Sequence, residues 1–204
     1  MPQKKPRLNI ITPCSRDYNL DALHNSIVQA NVQEHFDVNW YIMIDRLKLP
    51  KLDHIDLPVS KLTVTVGADE DGSPGNKLRN QALDLIASGW VMFLDDDNIV
   101  HPEMLDTFWY HTTKHKEAHA FIFSSAVGPD GKEYVKTRMD GIAPDHIDTA
   151  QFIVSRHLIG DERWDPEAYN ADGVFITDLY KRGKETFVLI DGTVYYNALN
   201  KEGK

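Results

Sequence analysis

The strongest constraint on the fold is the way short apolar runs and helical patterns alternate along the first half of the chain. Runs rich in β-forming residues lie at 8–15, 38–45, 61–67 and 90–94. A segment with apolar residues at helical spacing (21–32) follows the first run, and another (76–89) precedes the fourth. Strands that alternate with helices in this order predict an α/β fold with a mostly parallel central sheet and helices on both faces.

In the second half of the chain the sequence predicts antiparallel strands and helices in place of the regular strand–helix alternation. A helical segment (101–115) leads into two apolar runs that are joined by the turn Pro129-Asp130-Gly131 and are expected to pair antiparallel. A helix at 170–183 and a final strand or hairpin at 186–197 follow. We therefore expect a small antiparallel part towards the C-terminus of a mostly parallel sheet.

Length and composition narrow the functional class. A chain of 204 residues is long enough for one domain with a real core. Its net charge of −9 argues against nucleic-acid binding, although a metal ion can still bridge a nucleotide to carboxylates. Cys14 is the single cysteine, and no apolar run approaches the roughly 20 residues of a membrane span. No secretory signal pattern is present, so we expect a cytoplasmic protein or part of a longer, multidomain chain.

Three consecutive carboxylates, Asp95, Asp96 and Asp97, directly follow the fourth apolar run. In parallel α/β sheets, ligands bind outside the carboxyl ends of the strands. Because side chains alternate along a strand, Asp95 and Asp97 can face one crevice while Asp96 points elsewhere. Such a pair suits Mg²⁺ or Mn²⁺ with room for phosphate oxygens. The alternative is a charged loop that closes the strand or caps the next helix.

A second metal pattern is weaker. His111, His115 and His119 are spaced four residues apart in a probable helical segment, a spacing that can bind a transition metal. The segment is otherwise polar, which favours a solvated helix face.

Four segments together resemble the GT-A-fold, nucleotide-sugar-dependent glycosyltransferases of the inverting family 2 type. The opening run "LNIITPCSR" is similar to the family's first strand and nucleoside loop, and "YIMID" to its second strand. The most specific match is "GNKLRNQALDLIASGWVMFLDDDNIVHPEML", and "YNADGVFITDLYKRG" resembles the helix that begins with the catalytic carboxylate. "FLDDDN" and "IDTAQFIV" also resemble the inverting glucuronosyltransferases.

The resemblance implies one Rossmann-like GT-A domain over residues 1–204, with a nucleotide-binding half (about 1–100) and an acceptor-binding half (about 101–204). It implies transfer of a sugar from a UDP-sugar to a hydroxyl of a glycan or other acceptor, with Mn²⁺ or Mg²⁺. Two alternatives of other classes stay open: a metal-dependent nucleotidyltransferase and a non-catalytic sugar- or nucleotide-binding domain. The absence of glycines after the first strand disfavours the nucleotidyltransferase.

The resemblance also assigns roles by position. The nucleoside pocket would be lined by Thr12, Pro13, Ser15 and Arg16, and Asp45 would meet uracil. Lys77 or Arg79 would lie near the nucleotide, where Asp95 would hold the ribose with help from Asp96. The metal ligands would be Asp97 and Asp95, and the general base would be Asp172. Apart from the resemblance, the aromatic residues Trp164 and Tyr169, just upstream of that base, have two open interpretations: stacking on the apolar face of an acceptor sugar, or packing in the protein.

The chain departs from the family pattern in one respect. Many members supply a histidine metal ligand near the C-terminus, but no histidine follows His157 here. Asp191 could replace it, or water could complete the shell. The chain is also short for the fold, and inversion or retention at the anomeric carbon stays open from the sequence.

Overall fold

The computed structural model describes residues 5–30, 32–44, 61–66, 75–128, 130–137, 142, 146–195 and 199. The predicted uracil-binding residue Asp45 lies outside the described residues, as does most of the loop at 67–77 that follows the third strand.

Eight strands form one sheet in the order β3-β2-β1-β4-β7-β5-β6, and β8 pairs with β5. They span β1 Arg7–Cys14, β2 Asp37–Ile44, β3 Lys61–Val66, β4 Trp90–Phe93, β5 Ala120–Val127, β6 Glu133–Lys136, β7 Phe152–Ser155 and β8 Phe187–Tyr195. The first four strands are mutually parallel, and β8 is parallel to β5. The predicted mostly parallel α/β sheet is confirmed.

The antiparallel part is arranged differently from the expectation. β7 is antiparallel to both β4 and β5, so β5 runs in the same direction as β4 with β7 inserted between them. Only β6 and β7 run against the rest of the sheet. The final segment is one strand, β8, rather than a hairpin.

Helices cover both faces of the sheet because alternate strand side chains point to opposite sides. The helices are α1 Leu20–Gln29, α2 Val32–His35, α3 Asn76–Leu85, α4 Met104–Lys114, α5 Arg156–Ile159 and α6 Ala171–Gly183. On β1, Ile10 packs in the core shared with α1 and α4, whereas its neighbour Ile11 packs in the core shared with α3 and α6. The predicted helices on both faces are therefore present.

Two further sequence features have structural outcomes. Helix α4 ends at Lys114, so His119 does not continue the helix face that carries His111. Its Nδ1 lies 3.2 Å from Ser155 Oγ instead, and the three histidines do not form one row. In the part of the chain that the structure describes, no helix has the length and apolar character that crossing a membrane requires.

One edge of the sheet collects the polar groups. The parallel strands β1 and β4 both end there, and β7, which is antiparallel to β4, begins there. Residues after β1 and β4 and residues before β7 are therefore neighbours in space, although they are far apart in sequence.

Candidate active site

Asp96 ties the end of β4 to the end of β1. Its Oδ2 accepts hydrogen bonds from the backbone N–H groups of Ser15 and Arg16, both at 2.7 Å, and its Oδ1 accepts from Arg16 Nε at 2.8 Å. The side chain is almost fully buried. Because its oxygens accept from the chain's own donors, Asp96 fixes the loop after β1, and its role towards the nucleotide stays a prediction.

Arg16 lies between Asp96 and Asp97. Its guanidinium pairs with Asp96 Oδ1 and lies 3.1 Å from Asp97 Oδ2, and its side chain is 31% exposed. Burial, with the charge of Asp95 adding and that of Arg16 opposing, raises the pKa of Asp97 to about 6. One guanidinium therefore does not fully compensate the carboxylate of Asp97.

Asp95 is held from the other side by Arg79. The Arg79 guanidinium pairs with Asp95 Oδ1, and only 4% of the Arg79 side chain is exposed, against 30% for Asp95. A side chain this deeply buried holds Asp95 in place, and the prediction that Lys77 or Arg79 lies near the nucleotide stays a prediction. Asp96 and Asp97 share Arg16, whereas Asp95 pairs with Arg79. Because β4 ends at Phe93, the three carboxylates lie in the loop after the strand, and the alternation of strand side chains does not extend to them.

The loop after β1 is only partly available to a ligand. Thr12 is fully buried and its Oγ1 accepts a hydrogen bond from Trp40 Nε1 at 2.9 Å, which corrects its predicted place in the nucleoside pocket. Pro13 is half-buried against Gly75, where a Cβ would come within 2.6 Å of the Pro13 ring. Lys77 lies in the first turn of α3 and is half-buried, so its role near the nucleotide stays a prediction.

Asp172 lies in the first turn of α6, half-buried and directed towards the same crevice. Its Oδ1 accepts from the N–H of Gly173 at 2.8 Å, and its Oδ2 accepts from Thr149 Oγ1 at 3.4 Å. Burial raises the pKa of Asp172, while the charge of Arg79 lowers it and that of Asp95 raises it. Electrostatic coupling to Arg79 and Asp95 shows that the structure brings the predicted base to the D-x-D carboxylates.

Asp148 is a site residue that the sequence reading missed. It precedes β7, and its side chain accepts from Ala150 N at 2.9 Å while Gln151 Oε1 accepts from its backbone N–H at 2.7 Å. This reciprocal capping box, Asp-x-x-Gln, is visible in the sequence and marks a turn. What the sequence did not show is that β7 runs antiparallel, which brings this turn to the crevice.

Three other carboxylates of the crevice act on the pKa of Asp148. Burial raises the pKa of Asp148 to about 7, and the carboxylates of Asp95, Asp172 and Asp97 add to the rise. Mutual repulsion of this kind requires the carboxylates to be close, and it is typical of functional sites.

The edge therefore carries more negative charge than positive. The carboxylates are those of Asp95, Asp96, Asp97, Asp148 and Asp172, against the guanidinium groups of Arg16 and Arg79. Mg²⁺ and Mn²⁺ take oxygen ligands and commonly bind through one or two carboxylates, with water and substrate phosphates as the other ligands. Asp95 and Asp97, together with the excess negative charge, fit such an ion.

The predicted third ligand does not join this set. Among the residues that the structure describes, no three His, Cys, Asp or Glu side chains form a group that could hold a metal ion. Asp191 lies exposed on β8, where Ser124 Oγ donates to its carboxylate at 3.3 Å. The chain beyond β8 brings Leu199 to the site instead, and its N–H donates to the Asp97 carbonyl at 2.9 Å. The prediction for Asp191 is wrong.

The raised pKa values give a pH-dependent prediction. The pKa of Asp97 is raised to about 6 and that of Asp148 to about 7, from an ordinary value of 3.8. Between about pH 4 and about pH 7 the folded state therefore holds more protons than the unfolded state. The free energy of unfolding should therefore fall as pH rises from about 4 to about 7. A bound divalent cation offsets this loss, so Mn²⁺ should raise the melting temperature more at about pH 8 than at about pH 5. Equal shifts at both pH values would contradict the charge assignment.

The two predicted acceptor aromatics differ sharply in exposure. Trp164 is 2% exposed and stacks on Phe175 with ring centroids 4.9 Å apart, also contacting Phe93 edge-on at 4.9 Å. It belongs to the core, which corrects its prediction as an acceptor contact. Tyr169 is 97% exposed three residues before Asp172, so its role towards an acceptor stays a prediction.

This contrast is measurable. Trp164→Ala should lower the free energy of unfolding by about 3–5 kcal/mol, because it removes a large buried ring and leaves a cavity. Tyr169→Ala should change it by less than about 0.5 kcal/mol, as exposed positions usually do. Urea unfolding of both variants checks the assignment, and a mild loss at Trp164 would show that its ring is not a core element.

Comparisons with known proteins identify the fold. No family model matches the sequence, and no curated protein is significantly similar to it. Among solved structures, S. aureus TarS 1–349 in complex with UDP-GlcNAc is similar with a TM-score of 0.66 at 17% identity, over 97% of this chain and 60% of that one. Mannosyltransferase PcManGT from Pyrobaculum calidifontis, in complex with GDP-Man and Mn²⁺, gives a TM-score of 0.66 at 12% identity, over 98% and 59%.

The chain thus spans about 60% of the length of these structures. At this level of identity the likeness concerns the fold. The mostly parallel sheet with helices around it is consistent with this likeness. The chain has the GT-A-like fold of the nucleotide-sugar glycosyltransferases, as its resemblance predicted.

Proposed function

We propose that this protein transfers a sugar from a UDP-sugar to a hydroxyl group of a glycan or other acceptor, with inversion at the anomeric carbon and with Mn²⁺ or Mg²⁺. The observation that carries the proposal is a group of carboxylates at one edge of a GT-A-like sheet, where Asp95, Asp97 and Asp172 all lie near Asp148. Asp95 and Asp97 lie beside arginine side chains, whereas Asp172 accepts from a backbone N–H and a threonine hydroxyl. Such different surroundings suit metal binding by the first pair and proton transfer by Asp172.

The donor side is formed by the loops after β1 and β4. Asp95 and Asp97 would hold a divalent cation, which when bound supplies charge stabilisation for a diphosphate leaving group. Arg16 reaches this point with a partly exposed guanidinium, so it can contribute to holding the negative donor. Asp96 and Arg79 keep these groups in place through their buried hydrogen bonds.

The acceptor side is formed by the start of α6. Asp172 takes the proton of the acceptor hydroxyl onto its carboxylate as the hydroxyl oxygen attacks the anomeric carbon. The raised pKa of Asp172 makes it a better base than an ordinary exposed carboxylate. Hydrogen bonds from Gly173 and Thr149 orient the carboxylate, and attack from the face opposite the leaving group gives inversion.

The substrates are proposed at the level of chemical class. A uridine donor is favoured through the family resemblance, and similar structures were determined with UDP-GlcNAc and with GDP-Man. Tyr169 offers an exposed aromatic face beside the base on which a sugar ring of the acceptor can stack. The division into a nucleotide-binding and an acceptor-binding half, and a place within a longer chain, belong to the same proposal.

The test is turnover with a panel of donors. The protein is incubated with UDP-sugars and GDP-mannose, with Mn²⁺, against simple glycan acceptors, and release of the nucleoside diphosphate is measured. We expect release from a UDP-sugar that depends on the acceptor, and NMR of the product should show the inverted anomer. Retention would contradict the role of Asp172 as base.

The same assay separates the two alternatives. A nucleotidyltransferase would release pyrophosphate from a nucleoside triphosphate and a sugar phosphate. A binding domain would retain the nucleotide without any turnover and would tolerate Asp172→Asn. Either result would overturn the proposed function.

A further inference from the structure

One side of α3 is bonded to the segment that leads into α6, residues 164–168. Asn80 forms a reciprocal pair with the backbone of Trp164, donating to its carbonyl at 2.9 Å and accepting from its N–H at 2.8 Å. The buried Asn76 donates to two more carbonyls of the segment, at 2.9 and 3.2 Å. These bonds fix the backbone of 164–168 on α3 just before the chain reaches the base.

Arg79 lies between Asn76 and Asn80 in the sequence and joins this segment to the donor side. Its guanidinium lies over the ring of Trp164, 4.7 Å from the centroid, and donates to Asn76 Oδ1 at 2.8 Å. The same guanidinium pairs with Asp95. A buried cation held by a carboxylate, an amide and an aromatic face has little freedom to move independently of any of them.

We propose that Arg79 is a positioning residue that couples donor binding at Asp95 to the ordering of the 164–168 segment and of the start of α6. This inference rests on the proposed function, because it takes Asp95 as a donor-site group and Asp172 as the base. Arg79 itself touches neither substrate, since it is buried.

The coupling follows from shared partners. A donor that restrains Asp95 also restrains the guanidinium paired with it, and through Trp164 and Asn76 it restrains the backbone that leads to Asp172. Donor binding then removes part of the conformational entropy of the acceptor side before the acceptor binds. The acceptor therefore binds with a smaller entropy loss, which is positive coupling between the donor and acceptor sites. The effect of the Arg79 charge in lowering the pKa of Asp172 is a second link between them.

Hydrogen–deuterium exchange of the segment 164–172 reports the coupling directly. In the wild-type protein, UDP with Mn²⁺ should slow amide exchange in this segment by about fivefold or more. Arg79→Gln removes the charge and the pairing, so this added protection should disappear. Arg79→Lys keeps the charge but not the planar fork, and we expect partial protection.

Two more variants separate a loss of coupling from general destabilisation. Asn80→Asp places a carboxylate oxygen against the Trp164 carbonyl while leaving Arg79 and Asp95 paired. UDP affinity, measured by calorimetry with Mn²⁺, should stay within about twofold while the added protection is lost, a split that general destabilisation would not produce. Arg163→Gln is the matched control, because it removes a partly exposed pair with Asp84 of α3 and donations to the Gly160 and Glu162 carbonyls, and leaves the contacts of Arg79 and Asn80 unchanged. It should behave as the wild type.

The outcomes are distinct. Loss of donor-induced protection in Arg79→Gln and Asn80→Asp, with retention in Arg163→Gln, supports the coupling. If UDP binds the wild type but the segment gains no protection, or if either Arg79→Gln or Asn80→Asp keeps the protection, the inference is overturned and the proposed function stands. If UDP with Mn²⁺ does not bind the wild type, both are overturned. Should Arg79→Gln fail to fold, as judged by circular dichroism, Asn80→Asp decides.

Discussion

Asp172→Asn should lower turnover by about 10²–10⁴-fold, the usual contribution of a general base, while UDP affinity changes by less than about twofold. The amide is similar in shape: its oxygen can still accept from the Gly173 N–H and its NH2 group can donate to Thr149 Oγ1, but it cannot take a proton. The measurement is steady-state turnover with the active UDP-sugar, paired with calorimetric titration of UDP.

Asp178→Asn provides the control on the same helix, since Asp178 forms only an exposed pair with Lys181 among the contacts described. It should retain wild-type turnover and wild-type stability. If Asp172→Asn turned over at the wild-type rate, Asp172 would only cap α6, and another group would have to act as the base. Asp148 is then the carboxylate to replace next, because it lies at the same crevice.

The second large effect is expected at the metal site. Asp97→Ala should weaken Mn²⁺-dependent UDP binding by about 100-fold or more, because the site then keeps a single predicted carboxylate ligand. The variant should also lose most of the stabilisation that Mn²⁺ gives to the wild type. Calorimetry with UDP and Mn²⁺, and thermal unfolding with and without Mn²⁺, measure the two effects.

Asp161→Asn is the matched control for Asp97→Ala, since it removes one exposed carboxylate remote from the charge cluster. It should bind UDP as the wild type does. Unchanged Mn²⁺-dependent binding in Asp97→Ala would show that the aspartates close the strand as a charged loop and do not hold a metal.

The parts of the fold that the sequence predicts are those decided by local periodicity. The near-continuous apolar run of β2 indicates a strand covered on both faces, and Trp40 to Ile44 are all buried. The spacing of Leu78, Ala82, Leu85 and Ile86 predicts one buried face of the α3 segment. Leu78, Ala82 and Ile86 are buried, whereas Leu85 is 53% exposed and Leu83 is buried in its place. The position of the three aspartates after β4 follows from the same alternation of strand and helix.

The parts that sequence does not predict depend on strand order. Asp148 reaches the crevice only because β7 is inserted antiparallel between β4 and β5, and no local pattern encodes that insertion. Trp164 and Arg79 have residue types that suit ligand contacts, yet they pack against each other in the core. Which of two such residues faces solvent is decided by packing across distant segments, not by spacing.

The most direct test of the central claim is calorimetric titration of UDP, GDP and dTDP into the wild-type protein, with Mn²⁺ and with EDTA. We predict that UDP binds with Mn²⁺, that EDTA abolishes this binding, and that GDP and dTDP bind more weakly. Failure of all three nucleotides to bind in the presence of Mn²⁺ would contradict the assignment of this carboxylate-lined edge as a donor site.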